Sequence, residues 1–263
     1  MSQEDIKDFL MLADTGDVGA LERELERALK FYKNKISADF LNEAGGMLQR
    51  TPIHVAAEKN DLKMAQFLIG RGASTAERDL NGNTALHQAA GAAGRELITL
   101  LLDSGSIADA LDLEKNSPLH WACAKGNLAG VEVLLAKSKT TAAYVNSQGY
   151  SPLHSACVSG HKEVVEAMIA AGSTLEQTTN DGDSPLHLAL STNNAGVAEV
   201  LIDAGADLAA KNRSGKLPED VTSNEGLRGM LKLAREQGVE AYRAQVAAAL
   251  EKGNKAMADI GIL

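Results

Sequence analysis

Aromatic residues are scarce in this 263-residue chain: nine in all, or 3%. That argues against a β-sandwich, whose half-buried strands draw on aromatic and β-branched side chains. Proline is rare as well, at five residues, and its rarity suits closely packed helices. Two cysteines make no disulfide framework. Positive charge is in the minority: 26 Lys and Arg against 35 Asp and Glu leave a net charge of −9. No basic stripe gathers anywhere, so no nucleic-acid partner is expected, and a basic protein surface is the more natural one. No apolar run approaches the ~20 residues that cross a bilayer, so no membrane partner is expected either. The opening "MSQEDIKDFLMLADTGD" is acidic and lacks the basic and apolar regions of a secretory signal. The expectation is a reduced intracellular protein of the cytoplasm, with the nucleus left open.

What the chain does have is repetition. "TPIHVAAEKND" starts at Thr51, "TALHQAAGAAGR" at Thr84, "SPLHWACAKGN" at Ser117, "SPLHSACVSGH" at Ser151 and "SPLHLALSTNN" at Ser184. The steps are 33, 33, 34 and 33 residues, and a degraded copy, "LPEDV", begins 33 further on at Leu217. The pattern makes physical sense. Thr or Ser is a helix N-cap, and Pro follows at the first helical position, where no N–H is needed. Small pairs such as Ala56–Ala57 and Ala122–Cys123 let neighbouring helices approach closely. Asn60, Gly94, Gly126, Gly160 and Asn194 end the first helices. Apolar runs such as "LITLLL" and "VAEVLI" form the second. Between copies lie turns such as "DLNGNT" and "TNDGDS". One helix pair cannot bury its own apolar face, so stability must come from stacking neighbours.

These motifs resemble the ankyrin repeat family, residue by residue, over nearly the whole chain. The resemblance implies an all-α solenoid in which each repeat is a helix–turn–helix pair with a projecting finger turn. About seven pairs are expected, the outer two degenerate, plus an extra C-terminal helix. Residues 1–45 read as an N-terminal capping pair with an inserted loop, 46–211 as five full repeats and 212–238 as a degenerate cap. Residues 239–263 read as an amphipathic helix and an apolar tail.

His120, Trp121 and Cys123 invite a reading as a metal or catalytic site. His54, His87, His120, His154 and His187 all share one repeat position, however, and Cys123 and Cys157 share another. Equal spacing along a stack keeps such side chains apart, whereas a metal needs convergent ligands. In the resembled family this histidine bridges its turn and the adjacent repeat. Trp121 takes the position of Val55, Gln88, Ser155 and Leu188 and is expected to be partly exposed, with core packing favoured over a binding anchor because tryptophan is mostly buried. No phosphate loop, zinc spacing or nucleophile elbow is present. No cofactor, metal or small-molecule substrate is expected.

The expectation is a non-catalytic scaffold or adaptor, binding a protein partner through its concave face and fingers, as a free-standing factor or a subunit of a larger complex. The competing reading is an enzyme or metal protein built on the His and Cys positions. A host-targeting effector would bind in the same way as an adaptor. Ankyrin-like stacks bind through finger tips and the exposed ends of the first helices. That selects Asn81, Asn83, Glu114, Asn116, Gln148, Tyr150, Asp181, Asp183 and Arg213 on the fingers, with Trp121 and Lys125 on a first helix. Tyr150 is expected to be exposed and to anchor the partner, because Tyr is enriched at binding hot spots. Three departures from the repeat stand out. Residues 30–46 run about eleven residues over the family period and hold Phe31, Tyr32 and Phe40. Residues 136–145 gain one residue and lose the closing Gly, while Lys115 replaces the turn Gly, which points equally to altered stacking or finger geometry there and to neutral drift. In the tail, Val239, Tyr242, Val246 and Leu250 fall on one helical face.

Overall fold

A computed structural model describes residues 17–31, 41–42, 44–45, 47–92, 94–138 and 142–240, with isolated positions at 8, 11, 12, 15, 243, 244 and 248. Tyr32, Phe40 and most of residues 239–263 therefore lie outside the described residues. Among those described, every extended regular element is helical, and the helices come in pairs. After α1 (Val18–Phe31) come α2 (Pro52–Glu58) with α3 (Leu62–Gly70), α4 (Ala85–Ala92) with α5 (Arg95–Asp103), and α6 (Pro118–Lys125) with α7 (Leu128–Lys137). Then follow α8 (Pro152–Ser159) with α9 (Lys162–Ala170), α10 (Pro185–Ser191) with α11 (Ala195–Asp203), and a short α12 (Pro218–Val221) with α13 (Glu225–Gln237).

The chain divides into two compact units. One comprises residues 1–156 with 163–173, the other residues 157–162 with 174–263. In the first unit like packs on like: α2 on α4 on α6, and α3 on α5 on α7, each pair also packing internally. Ile53, Leu86 and Leu119, one per first helix, are wholly buried, as are Met64, Leu97 and Ile98 from the second helices. Deleting one such side chain costs about 2–5 kcal/mol. In the second unit α10 packs on α11 and α12, and α12 on α13. Glu219 is buried there, and the guanidinium of Arg235 grips its carboxylate at 2.9 and 3.0 Å.

The helices are short, so their ends matter. Asn127 is used twice. Its Oδ1 accepts from the N–H of Gly130, capping α7, while its Nδ2 donates to the carbonyl of Ala90 in the preceding repeat. Asn194 likewise donates to the carbonyls of Cys157 and Val158 at 2.9 Å.

The departures around 115 and 138 resolve differently. Lys115 adopts φ +63°, close to the +77° and +80° of Gly82 and Gly149 at the same repeat position. Its N–H still bonds to Asp112 O at 3.0 Å, as that of Gly82 does to Asp79 O at 2.9 Å. The altered finger geometry expected at Lys115 is therefore absent, and the substitution is absorbed as backbone strain. At Ser138 the geometry does change. This C-cap is extended (φ −150°), whereas Gly72, Gly105, Gly172 and Gly205 close their repeats at φ +89° to +96°. The Tyr144 hydroxyl then ties the next segment back to Asp109 at 3.2 Å.

A left-handed conformation costs a residue with a Cβ about 1–2 kcal/mol, partly offset by the chain entropy a glycine adds to the unfolded state. Lys115→Gly should therefore raise unfolding stability by roughly 0.5–1 kcal/mol in urea titration. Gly82→Ala should lower it, because the new Cβ would stand 2.9 Å from the backbone N of Leu113. An unchanged urea midpoint for Lys115→Gly would show that the strain is relieved elsewhere.

Candidate functional site

Two sets of polar contacts decide which side chains are free to meet a partner. The first centres on the repeated histidine. In each full repeat Nδ1 accepts from the backbone N–H three residues earlier at 3.1–3.3 Å. The Thr or Ser hydroxyl of that same residue lies 2.7–2.9 Å from Nδ1 and donates to it. With Nδ1 an acceptor, the proton belongs on Nε2. From there His54, His87, His120 and His187 donate to the carbonyls of Asn83, Asn116, Tyr150 and Lys216 at 3.0–3.1 Å. Each of these rings is thereby consumed in joining one repeat to the next. In the degraded copy Asp220 takes the histidine position, and its Oδ2 accepts from Leu217 N at 2.9 Å. Burial pulls His54 and His87 below the usual value of 6.5, and His120 down to about 4, against the raising effect of its bond to Tyr150 O.

The second set builds the fingers. Asp79, Asp112, Asn146, Thr179 and Asn212 recur at one position, and each side-chain oxygen accepts from two backbone N–H groups, two and four residues on. Consecutive fingers are joined through their main chains. In the first unit Leu80 N bonds to Leu48 O, Leu113 N to Asn81 O and Ser147 N to Glu114 O. In the second, Arg213 N bonds to Asp181 O. This finger residue escaped the sequence reading, although Asp, Asn and Thr at a fixed period before a Gly-containing turn were a usable signal.

These networks sort the eleven expected partner-binding residues. Asn81, Glu114, Lys125 and Gln148 are exposed in the first unit, as are Asp181 and Arg213 in the second. Asn83 is only 2% exposed, with its Nδ2 on Asp79, and so serves the turn. Asn116 and Asp183 are half-buried and accept from Asn146 and Asn212 respectively. Tyr150 is a second correction. It sits at the base of its finger rather than the tip, half-buried, with its ring 5.9 Å from that of His154. Apolar side chains project as well: Met47 (94% exposed), Leu80 (57%) and Leu113 (74%), at one repeat position on three consecutive fingers.

Trp121 is half-buried. Its indole N–H donates to Asp112 at 3.2 Å, and its ring meets His87 edge-on at 6.4 Å. Beside it opens a groove of about 270 Å³ lined by Asn116, His120, Trp121, Ala124, Lys125 and Ser155. Cys123 and Cys157 are buried, and burial pushes the Cys157 thiol up, away from the reactive thiolate. Among the described residues no three His, Cys, Asp or Glu side chains gather as a metal site would, and no helix is long and apolar enough to cross a membrane.

The sequence profile described as "Ankyrin repeats (3 copies)" matches residues 20–112, 53–144, 91–179 and 141–212. The chain belongs to the ankyrin repeat family. Its fold is that of the ankyrin domain of Bcl-3, described as a unique member of the IkappaB protein family. The TM-score is 0.68 at 23% identity, covering 85% of this chain and 97% of that one. The human ASB11 ankyrin repeat domain is similar, with TM-score 0.72 and 24% identity over 87% of this chain and 97% of that one. In sequence, NF-kappa-B inhibitor alpha of Homo sapiens is 38% identical over 86 residues, 33% of this chain and 25% of that protein. An ankyrin stack is a protein-interaction module, and the family reading agrees with a site made of surface positions rather than of the repeated histidines.

His120 gives a pH signature. The unfolded chain binds a proton on it below about 6.5, whereas the folded chain holds it neutral down to about 4. Its contribution to stability is therefore present above pH 6.5 and is lost as pH falls from 6.5 toward 4. The unfolding free energy from urea titration should fall across that window by roughly 3 kcal/mol. His120→Ala should cost about 3 kcal/mol at pH 7.5, since it orphans the Ser117 N–H and the Tyr150 carbonyl, and should flatten the pH slope. A flat profile in the wild type would contradict the neutral-ring bridge.

Proposed function

We propose that this chain is a non-catalytic adaptor that binds one protein partner through its fingers and the exposed ends of its first helices, alone or as part of a larger complex in the cytoplasm. The observation that carries the reading is the row formed by Met47, Leu80 and Leu113. The fingers hold together by main-chain bonds and turn side chains, so the scaffold needs no large apolar group at their tips. Exposed apolar groups in a row mark an interaction surface. In the first unit the surface would be completed by Asn81, Glu114, Gln148, Trp121 and Lys125. In the second, Asp181 and Arg213 are the corresponding fingertip positions. A net charge of −9 favours a partner with a basic surface. NF-kappa-B inhibitor alpha is, by its name, an inhibitor acting on another protein, which supports protein binding here while leaving the partner's identity to experiment.

The test is capture from a cell extract by the wild-type chain and by a Met47→Glu, Leu80→Glu, Leu113→Glu variant, both confirmed to melt cooperatively. The expected result is one protein retained in stoichiometric amount by the wild type and lost at least tenfold by the variant. Equal capture by both would remove the fingertips from the binding surface. No stoichiometric protein in either would overturn the adaptor reading.

A further inference from the structure

The groove beside Trp121 has a composition that the stack does not require. Along the exposed side of the first helices the neighbouring positions are small: Gly91 and Ala92 on α4, Ala124 on α6 and Ser155 on α8. A Cβ on Gly91 would lie 3.4 Å from Lys125 Cγ and 3.6 Å from Trp121 Cε3. Gly91 thus lies against both Trp121 and Lys125, at distances where even an added Cβ would make only ordinary van der Waals contact. On the other side, Ser155 holds the position that Trp121 fills in its own repeat, and its small size leaves the groove open. At about 270 Å³ the space falls below the ~300–1,000 Å³ of small-ligand sites. It fits one side chain rather than a cofactor.

The charges select the occupant. The nearby carboxylate of Asp112 is fully employed, accepting from Trp121 Nε1, from the Asn116 amide and from two backbone N–H groups. Lys125 is the cation lining the groove, is exposed, and has no ion-pair partner among the described residues. Asn116 adds a polar group to the lining. The site therefore presents an indole wall, an apolar Ala124 and one uncompensated positive charge. We propose that this groove seats a single apolar or aromatic side chain from an extended partner segment, with an adjacent Asp or Glu of that segment pairing with Lys125. The proposal rests on the adaptor reading and sharpens it. A partner drawn in by the acidic surface as a whole would carry a local acidic anchor at this point. Tryptophan in a sheltered pocket is the residue type most often found to dominate a protein interface.

Random twelve-residue peptides displayed on phage are to be selected on the full-length chain. The selected peptides are then titrated while the emission of Trp121, the only tryptophan, is followed. The expected selection is an apolar or aromatic residue beside Asp or Glu, with a shift of the emission on binding. Ser155→Leu, which places in the groove the residue found at the same repeat position as Leu188, should weaken binding at least tenfold. Lys125→Glu should weaken it as much and, on reselection, return Lys or Arg in place of the acid. Peptides that leave the emission unchanged and bind both variants equally would overturn the groove and leave protein binding intact. A basic consensus on the wild type, or no selected peptide at all, would overturn it as well. The adaptor reading fails separately, if extract capture yields no partner.

Discussion

A neutral imidazole with its proton on Nε2 underlies the repeat-to-repeat joints. Each such ring accepts at Nδ1 from the start of its own helix and donates at Nε2 to a carbonyl in the next finger. One side chain thus fixes a helix N-terminus, a turn and the distance to the neighbouring repeat. Burial maintains the arrangement by making the imidazolium costly, and a protonated Nδ1 would also point a proton at a backbone donor. In the degraded copy Asp220 keeps the helix-capping half of the device.

This division of labour shapes what the surface is free to do. The histidines, the finger Asp, Asn and Thr, and the Asn127 and Asn194 amides absorb the polar chemistry of the stack. What remains exposed is the pair of residues at each fingertip and a few at the ends of the first helices. There the chain places Met47, Leu80 and Leu113 in a row, and Trp121 and Lys125 among small residues. The first group is exposed, and the second lines the groove beside α6.

The repeat period, the helix pairs and the histidine position were legible in the sequence because stacking imposes one chemistry on every copy. The misjudged residues are those whose role depends on depth within a finger. Asn83 and Tyr150 look like finger residues by their place in the period, but the turn curls back. Asn83 is drawn under Asp79, and Tyr150 against His154. Lys115 looked like an altered turn, yet the main-chain bonds to its neighbours hold it at the φ of the glycine it replaces. The Glu219–Arg235 pair escaped the reading because its partners sit 16 residues apart on different helices, a separation that no periodic pattern announces. The exposed apolar tips were visible as letters, but their exposure was not.

The most direct measurement of the central claim is the nitrogen spectrum of the histidine rings in uniformly labelled protein at pH 5.5. For His120 the account predicts a neutral ring with Nδ1 unprotonated and Nε2 carrying a slowly exchanging proton. A ring that is already imidazolium at that pH, or neutral with the proton on Nδ1, would contradict it. The repeats would then have to be joined by something other than these bridges.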